Sequence, residues 1–116
     1  MTEPSRADRV TRCSVHRDGA TILLVGDIDL GNRAEITARM GLGIRALDLT
    51  GVRYFGAAGV RLVLDAFAGR PFAGTLHVRC APSVFRVMRI SGLLDVEGLV
   101  VTEAAMERQS PAEAGE

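Results

Sequence analysis

The 116-residue chain is long enough for one globular domain with its own hydrophobic core. Its 14 basic residues, all arginine, balance 14 acidic residues without clustering, which excludes the basic stripe typical of proteins that bind nucleic acid. The lack of lysine excludes a GK[ST] phosphate-binding loop and Schiff-base chemistry.

The two ends of the chain are polar, and we expect residues 1–9 and 109–116 to be disordered arms around a single domain, residues 10–108. Residues 1–9 lack the apolar core of a signal peptide, and no apolar run approaches the roughly 18 residues that cross a bilayer. The sequence therefore predicts a cytoplasmic protein without membrane insertion, in which Cys13 and Cys80 are thiols rather than a disulfide.

The domain opens with a predicted β-hairpin. Its two strands, Val10–Arg17 and Thr21–Ile28, meet at Asp18-Gly19, a dipeptide that favours tight turns. Asn32 then offers a helix N-cap, and Glu35 has the spacing of a capping box. The hairpin is therefore expected to lead directly into a first helix.

That first helix is predicted to end at a glycine-rich segment, Gly41-Leu42-Gly43-Ile44-Arg45-Ala46, which matches the pattern GxGxxA. A dinucleotide site needs this pattern after a strand and before a helix. Here a helix precedes the segment and a strand follows it. We interpret the segment as a helix stop.

Four small residues, Gly56-Ala57-Ala58-Gly59, follow the next predicted strand, Ala46–Thr50, and open a second helix. The helix has an apolar face at helical spacing and ends within Gly69–Gly74. The carboxyl end of a strand beside the amino end of a helix is where α/β proteins bind ligands, and its free N–H groups favour anions. This turn nevertheless carries no reactive side chain.

The rest of the chain continues the alternation, with strands Thr75–Cys80 and Val96–Val101 on either side of a helix that Ser83 can cap. Thr102 is expected to cap a short last helix through Arg108. The order β, β, α, β, α, β, α, β predicts an α/β domain. We expect a mixed, mainly parallel sheet of about five strands with three or four helices.

Cysteine and histidine are spaced like zinc ligands at two places, Cys13 with His16 and His77 with Cys80. On a strand, residues three apart point to opposite faces, so neither pair can hold one metal ion. Neither histidine lies close in sequence to a nucleophile with an orienting carboxylate. We expect no metal, no cofactor and no enzyme activity.

Three segments carry a family resemblance. The stretch from Leu47 to Val60, LDLTGVRYFGAAGV, resembles the signature of STAS domains, which occur in bacterial anti-sigma factor antagonists and in sulfate transporters. Gly26-Asp27-Ile28-Asp29-Leu30 is similar to the family's Gly-Glu-Leu-Asp, and Pro82 to Asp95 is similar to its third helix and following turn. The three segments occur in the family's order, so the fold is identified as STAS-like.

The resemblance implies a non-enzymatic transcription regulator that binds an anti-sigma factor of the serine-kinase type and releases its sigma factor. In the antagonists the kinase phosphorylates the first hydroxyl of Asp-Ser-Ser/Thr-Gly, and phosphate blocks binding. Here Gly56, Ala57 and Ala58 replace the Asp and both hydroxyl residues, so no phosphate can be added at Ala57. The resemblance implies the following partner contacts: Asp29, Gly56, Ala57, Ala58, Gly59 and Arg61.

Several interpretations of the unusual turn stay open. The protein is either a permanently unphosphorylated binder or one whose turn serves another partner, as in the STAS subunits of lipid-transport ABC complexes and of signalling scaffolds. A purely structural reading is that the four residues are small because the helix start packs tightly on the sheet. Thr50, Ser83 and Ser91 remain alternative phosphorylation sites, and the expected oligomeric state is a monomer or a weak dimer.

Overall fold

The computed structural model describes residues 12–71 and 74–104. The predicted arms, 1–9 and 109–116, lie outside the described residues, as do positions 10 and 11 of the predicted first strand. Positions 72, 73 and 105–108 of the predicted domain, the last four of which belong to the predicted last helix, also lie outside the described residues.

The centre of the structure is one five-stranded sheet in which the strands lie side by side in chain order. The strands are β1 (Cys13–Asp18), β2 (Thr21–Asp27), β3 (Ala46–Tyr54), β4 (Leu76–Cys80) and β5 (Leu99–Glu103). The β1–β2 pair is an antiparallel hairpin, and the other three pairs are parallel. The predicted mixed, mainly parallel sheet is therefore confirmed.

Each parallel step along the sheet is made through a helix: α1 (Arg33–Met40), α2 (Gly56–Ala68) and α3 (Pro82–Ile90). Crossovers between parallel strands are right-handed. Because each of the three crossovers leads to the next strand in the same direction across the sheet, all three helices lie on the same face. Contacts between α1 and α2 and between α2 and α3 agree with this arrangement. The sheet is thus covered by one layer of helices.

The hydrophobic core lies between the sheet and this helix layer. In β4 the side chains of Leu76, Val78 and Cys80 are buried, whereas His77 and Arg79 are exposed, as the alternation in the sequence predicts. On the helix side, the buried face of α2 includes Leu62 and Val63. The alternating burial leaves the opposite face of the sheet exposed to solvent, where polar side chains lie among apolar ones such as Val25 and Val100.

The third strand is longer than the sequence predicts. It continues from Thr50 to Tyr54 because this segment keeps pairing with β2, with Gly51 opposite Val25 and Tyr54 opposite Asp27. The sequence pattern stops at Thr50 because Gly51 and the polar Arg53 interrupt the apolar run. The extension carries the end of β3 to within one residue of α2.

Two predicted helix caps are wrong. Ala81 is the N-cap of α3 and Pro82 is its first residue, so Ser83 lies within the first turn. Proline suits this first position because the first N–H groups of a helix have no acceptor within the helix, so proline loses no hydrogen bond there. Thr102 lies in β5, paired with Arg79 of β4, and cannot begin a helix.

The last strand also begins later than predicted, at Leu99 instead of Val96. A short 3-10 turn, Leu93–Asp95, follows α3, and Gly98 adopts a φ of +91° just before the strand. This backbone conformation favours glycine and interrupts the extended chain. The loop delays the strand so that Leu99 pairs with Leu76 of β4.

Candidate functional site

The carboxyl ends of β2 and β3 meet at one edge of the sheet, beside the amino end of α2. A backbone hydrogen bond from Ile28 N to Tyr54 O, 2.9 Å long, joins the two loops that leave these strands. Because β1 is antiparallel to β2, Arg12 at the start of β1 lies at the same edge. We call this region the turn edge, and it contains the segment in which the sequence departs from the STAS pattern.

Of the four small residues at the turn edge, one presents its side chain to solvent. Ala57 is exposed, whereas Ala58 and Gly59 are buried and Gly56 is partly buried. Among these four residues, the structure therefore separates one exposed methyl group from neighbours that face inward. Of the four, only Ala57 can meet a partner through an exposed side chain.

Gly56 is required by its backbone conformation. Its φ is +54°, a region that residues with a side chain rarely adopt, and an added Cβ would lie 3.2 Å from the hydroxyl oxygen of Tyr54. The Tyr54 side chain thus lies over the start of α2. The family's Asp would be strained in this backbone conformation. The conformation therefore explains why glycine occupies position 56.

Gly59 is required by packing. A Cβ at this position would lie 2.3 Å from Cδ1 of Phe55, whose ring is buried beneath the helix start. The tight contact is the one that the structural reading of the turn anticipates. It explains Gly59 and leaves the exposed Ala57 unexplained by packing.

Asp29 is held within the protein by two neighbours. Its Oδ1 accepts a hydrogen bond from Asn32 N at 2.9 Å, and its Oδ2 accepts one from the Arg12 guanidinium at 2.5 Å. Asn32 Oδ1 in return accepts from Asp29 N. Both carboxylate oxygens of Asp29 therefore serve the loop itself, as an Asp that caps a turn does.

The predicted capping box between Asn32 and Glu35 does not form. Asn32 is the N-cap of α1, but its side chain makes no cap hydrogen bond. It is fully buried and instead donates from Nδ2 to Asp27 O, while Glu35 pairs with Arg39. The reciprocal pairing occurs three residues earlier, between Asp29 and Asn32, which have the same spacing.

Two exposed apolar side chains lie at the turn edge: Leu30, 84% exposed, and Tyr54, 58% exposed. Neither residue is among the contacts that the family resemblance implies. Leu30 follows directly after the Gly-Asp-Ile-Asp segment, and Tyr54 ends a strand that the apolar pattern makes too short. The exposure of both side chains, and the position of Tyr54 over the start of α2, are visible only in the folded chain.

Exposed arginines lie on the elements that meet at the turn edge. Arg53 Nε lies 3.4 Å from Asp27 Oδ1, and the Arg53 side chain is 76% exposed. Arg61, a predicted contact residue, lies one helical turn after Ala57 and is also exposed. The turn edge therefore combines leucine, tyrosine and arginine, and the latter two are enriched at protein interfaces.

Comparison with known proteins gives a structural match without a sequence match. No protein-family model matches the chain, and no curated protein sequence matches it. The structure is similar to the crystal structure of an anti-sigma factor antagonist from Mycobacterium paratuberculosis, with a TM-score of 0.54 at 18% sequence identity. The match covers 76% of this chain and 83% of that chain. This chain therefore shares its fold with that protein.

This likeness confirms the predicted fold resemblance. In this fold, each cysteine and histidine pair with zinc-like spacing is divided between the two faces of the sheet, as the strand geometry predicts. Cys13 and Cys80 are buried, and His16 and His77 are exposed. Within the described ranges 12–71 and 74–104, no group of three or more potential ligands is placed to hold a metal ion.

The alternative hydroxyl groups occupy three different environments in the antagonist fold. Thr50 Oγ1 donates to Asp48 Oδ1 at 2.7 Å, whereas Ser83 and Ser91 are exposed near opposite ends of α3. Ser83 lies after β4, whose carboxyl end is at the same edge of the sheet as that of β3.

None of the helices in the described part of the chain is long and apolar enough to cross a membrane.

Proposed function

We propose that the protein is a bacterial, cytoplasmic regulator of transcription that captures an anti-sigma factor of the serine-kinase type and so releases a sigma factor. It acts as a binding protein, without catalysis, metal or cofactor. The fold supports this proposal because it is shared with an anti-sigma factor antagonist. Since Ala57 has no hydroxyl group, phosphate cannot be added there, and binding is not switched at the usual position.

The observation that carries the proposal is the exposed apolar surface around Ala57. We define the docking surface as Leu30, Arg53, Tyr54, Ala57 and Arg61. Leu30 and Tyr54 are each more than half exposed to solvent. Apolar groups exposed next to arginines are typical of interfaces, in which they are removed from water by the partner.

Substitution of Ala57 tests the docking surface. In Ala57→Asp the new carboxylate lies at the amino end of α2, where the helix dipole favours it by about 0.3–1 kcal/mol, so the fold should survive. Docking would remove water from this carboxylate, and the wild-type interface has no group placed to compensate it. An effective cost of several kcal/mol should lower the affinity for the anti-sigma factor about a hundredfold or more.

Titration calorimetry of the purified chain against the anti-sigma factor measures this effect, and melting curves control for folding. Ala57→Ser should bind like the wild type because its hydroxyl group is small, yet it restores a possible phosphate acceptor. Equal affinity of folded wild type, Ala57→Asp and Ala57→Ser would mean that the partner binds elsewhere. Capture of a membrane transporter component instead would favour the role of a transport-complex subunit.

Two leucines provide a matched pair for a second comparison. Leu30 and Leu42 are both 84% exposed, but Leu30 lies at the turn edge, whereas Leu42 follows the carboxyl end of α1. Leu30→Ser should weaken binding about tenfold or more, since a buried leucine contributes roughly 1.5–3 kcal/mol. Leu42→Ser should leave the affinity unchanged, and equal losses in both variants would contradict the assignment of the surface.

A further inference from the structure

Carboxylates at the turn edge are covered by arginines that lie further out. Arg53 is 76% exposed, whereas its partner Asp27 is 27% exposed. Arg12 is likewise more exposed than Asp29, with which it forms the 2.5 Å contact. A molecule that approaches this edge therefore meets the guanidinium groups before the carboxylates.

Beside Ala57 the charges are not balanced. Asp65 on α2 forms ion pairs with two arginines. Arg33 Nη1 lies 2.7 Å from Asp65 Oδ2, and Arg61 Nε lies 3.5 Å from Asp65 Oδ1. Two guanidinium groups thus share one carboxylate, and Arg61 is the more exposed of the two. Glu103, an acidic residue at the end of β5, lies two strands away from β3. The excess charge next to the apolar centre is positive.

From this arrangement, which rests on the proposed function, we infer that the docking surface selects a protein partner with an apolar centre and an acidic rim. The apolar centre of the partner contacts Leu30, Tyr54 and Ala57. Arg53 and Arg61 face carboxylates of the partner, because the planar guanidinium group offers two parallel donors that match a carboxylate. Asp29 is not free to bind a basic group, since Asn32 and Arg12 occupy its two oxygens.

The same charges disfavour two other occupants. A second copy of the chain would bring Arg53 and Arg61 near their own counterparts, and like charges across an interface are costly. Nucleic acid binding requires a continuous basic stripe, whereas the 14 basic residues of this chain are balanced by 14 acidic residues and do not cluster. A protein surface with spaced carboxylates fits the docking surface better than either alternative.

The experiment measures association rates by stopped flow between the full-length chain and each purified anti-sigma factor of the source organism, at low and at high salt. The test variant is the double substitution Arg53→Gln and Arg61→Gln. Opposite charges accelerate encounter, and salt screens this attraction. We expect the double variant to associate about tenfold more slowly at low salt, with a weaker dependence on salt and a smaller change in the dissociation rate.

A matched control removes two arginines elsewhere. Arg45 lies just before β3, at the opposite edge of the sheet, and Arg89 lies in the last turn of α3; both are exposed. The double variant Arg45→Gln and Arg89→Gln changes the net charge equally and should associate like the wild type. An equal loss of association rate in both double variants would show that net charge alone is responsible and would overturn the inference.

The outcomes separate this inference from the proposed function. If Ala57→Asp abolishes binding but the Arg53 and Arg61 double variant associates like the wild type or faster, the acidic rim is wrong and the function stands. If no anti-sigma factor binds the wild type, or none is affected by Ala57→Asp, both proposals are wrong. Self-association of the wild type in sedimentation equilibrium that Ala57→Asp abolishes would identify a second copy as the occupant and also overturn the inference.

Discussion

Gly59 shows how a single residue sets the start of α2. Replacing a helical glycine with alanine usually stabilises a helix, by up to about 1 kcal/mol. At position 59 the new Cβ would lie 2.3 Å from the ring of Phe55, so the ring must move within a packed core. We expect Gly59→Ala to destabilise the protein by about 1–3 kcal/mol in urea unfolding.

The control for this prediction is Gly69, at the other end of α2. An added Cβ there would meet its nearest neighbour, Asp65 O, at an ordinary 3.6 Å. Gly69→Ala should therefore change the free energy of unfolding by less than about 0.5 kcal/mol. Equal stability of the Gly59→Ala variant and the wild type would refute the packing explanation of the turn.

Cys80 is a second residue whose chemistry follows from its position. Burial raises the pKa of the Cys80 thiol to about 11, and the negative charge of Glu103 adds to the shift. Because the thiolate is the reactive form, we expect slow labelling by a thiol reagent at pH 8 in the folded protein and fast labelling in urea. Rapid labelling of the native protein would reopen a redox role for this thiol.

The same shift makes stability depend on pH. Between the ordinary value of 9.0 and about 11, the unfolded chain loses the Cys80 proton while the folded chain keeps it, so stability is lost as pH rises through this range. Melting temperatures should fall across this range in the wild type. The decrease should be smaller in Cys80→Ala, although this variant is less stable at every pH.

At the scale of elements, the loop between β2 and α1 depends on Asn32. Its buried side chain accepts from Asp29 N and donates to Asp27 O, so it fixes the end of the strand relative to the helix. Asn32→Ala would leave both backbone groups without these partners and should cost about 2–3 kcal/mol in urea unfolding. Thr37→Ala, which removes a hydroxyl bond to Arg33 O within α1, should cost less than about 1 kcal/mol.

If the two variants were equally stable, Asn32 would not hold the loop. The loop also carries Leu30, so its order bears on the docking surface. A partial loss of binding in Asn32→Ala, at a temperature where the variant is folded, would agree with this dependence. The result for Asn32→Ala therefore links the stability of one element to the proposed recognition.

At the scale of the whole molecule, the prediction concerns the missing phosphate switch. Incubated with ATP and a serine kinase of the anti-sigma type, the wild-type chain should gain no phosphate at the turn edge, because Ala57 and Ala58 have no hydroxyl groups. Ala57→Ser serves as the positive control for the kinase. Mass spectrometry that localised phosphate to Thr50, Ser83 or Ser91 of the wild type would show a relocated switch and contradict permanent binding.

The sequence by itself determined the order of the elements and the class of the sheet. Alternation from Leu76 to Cys80 reports which side of that strand is buried. Helical spacing from Val60 to Phe67 predicts a helix but only part of its buried face, because Leu62 and Ala66 are buried with Val63, whereas Val60, Leu64 and Phe67 are partly buried. Such periodicity is local, since it depends on the geometry of one strand or one helix. It also located the strand-to-helix turn at Gly56, because glycines and small residues mark such turns.

Tertiary structure alone decided which side chains share the turn edge. The sequence could not show that Arg12 pairs with Asp29, 17 residues away, or Arg33 with Asp65, 32 residues away. The sequence pattern predicts that β3 ends at Thr50. The strand extends to Tyr54 because β2 supplies the backbone pairing. Contacts between distant residues depend on where the sheet places each loop. No local pattern encodes that position, so the exposure of Leu30 and Tyr54 beside Ala57 emerges only in the folded protein.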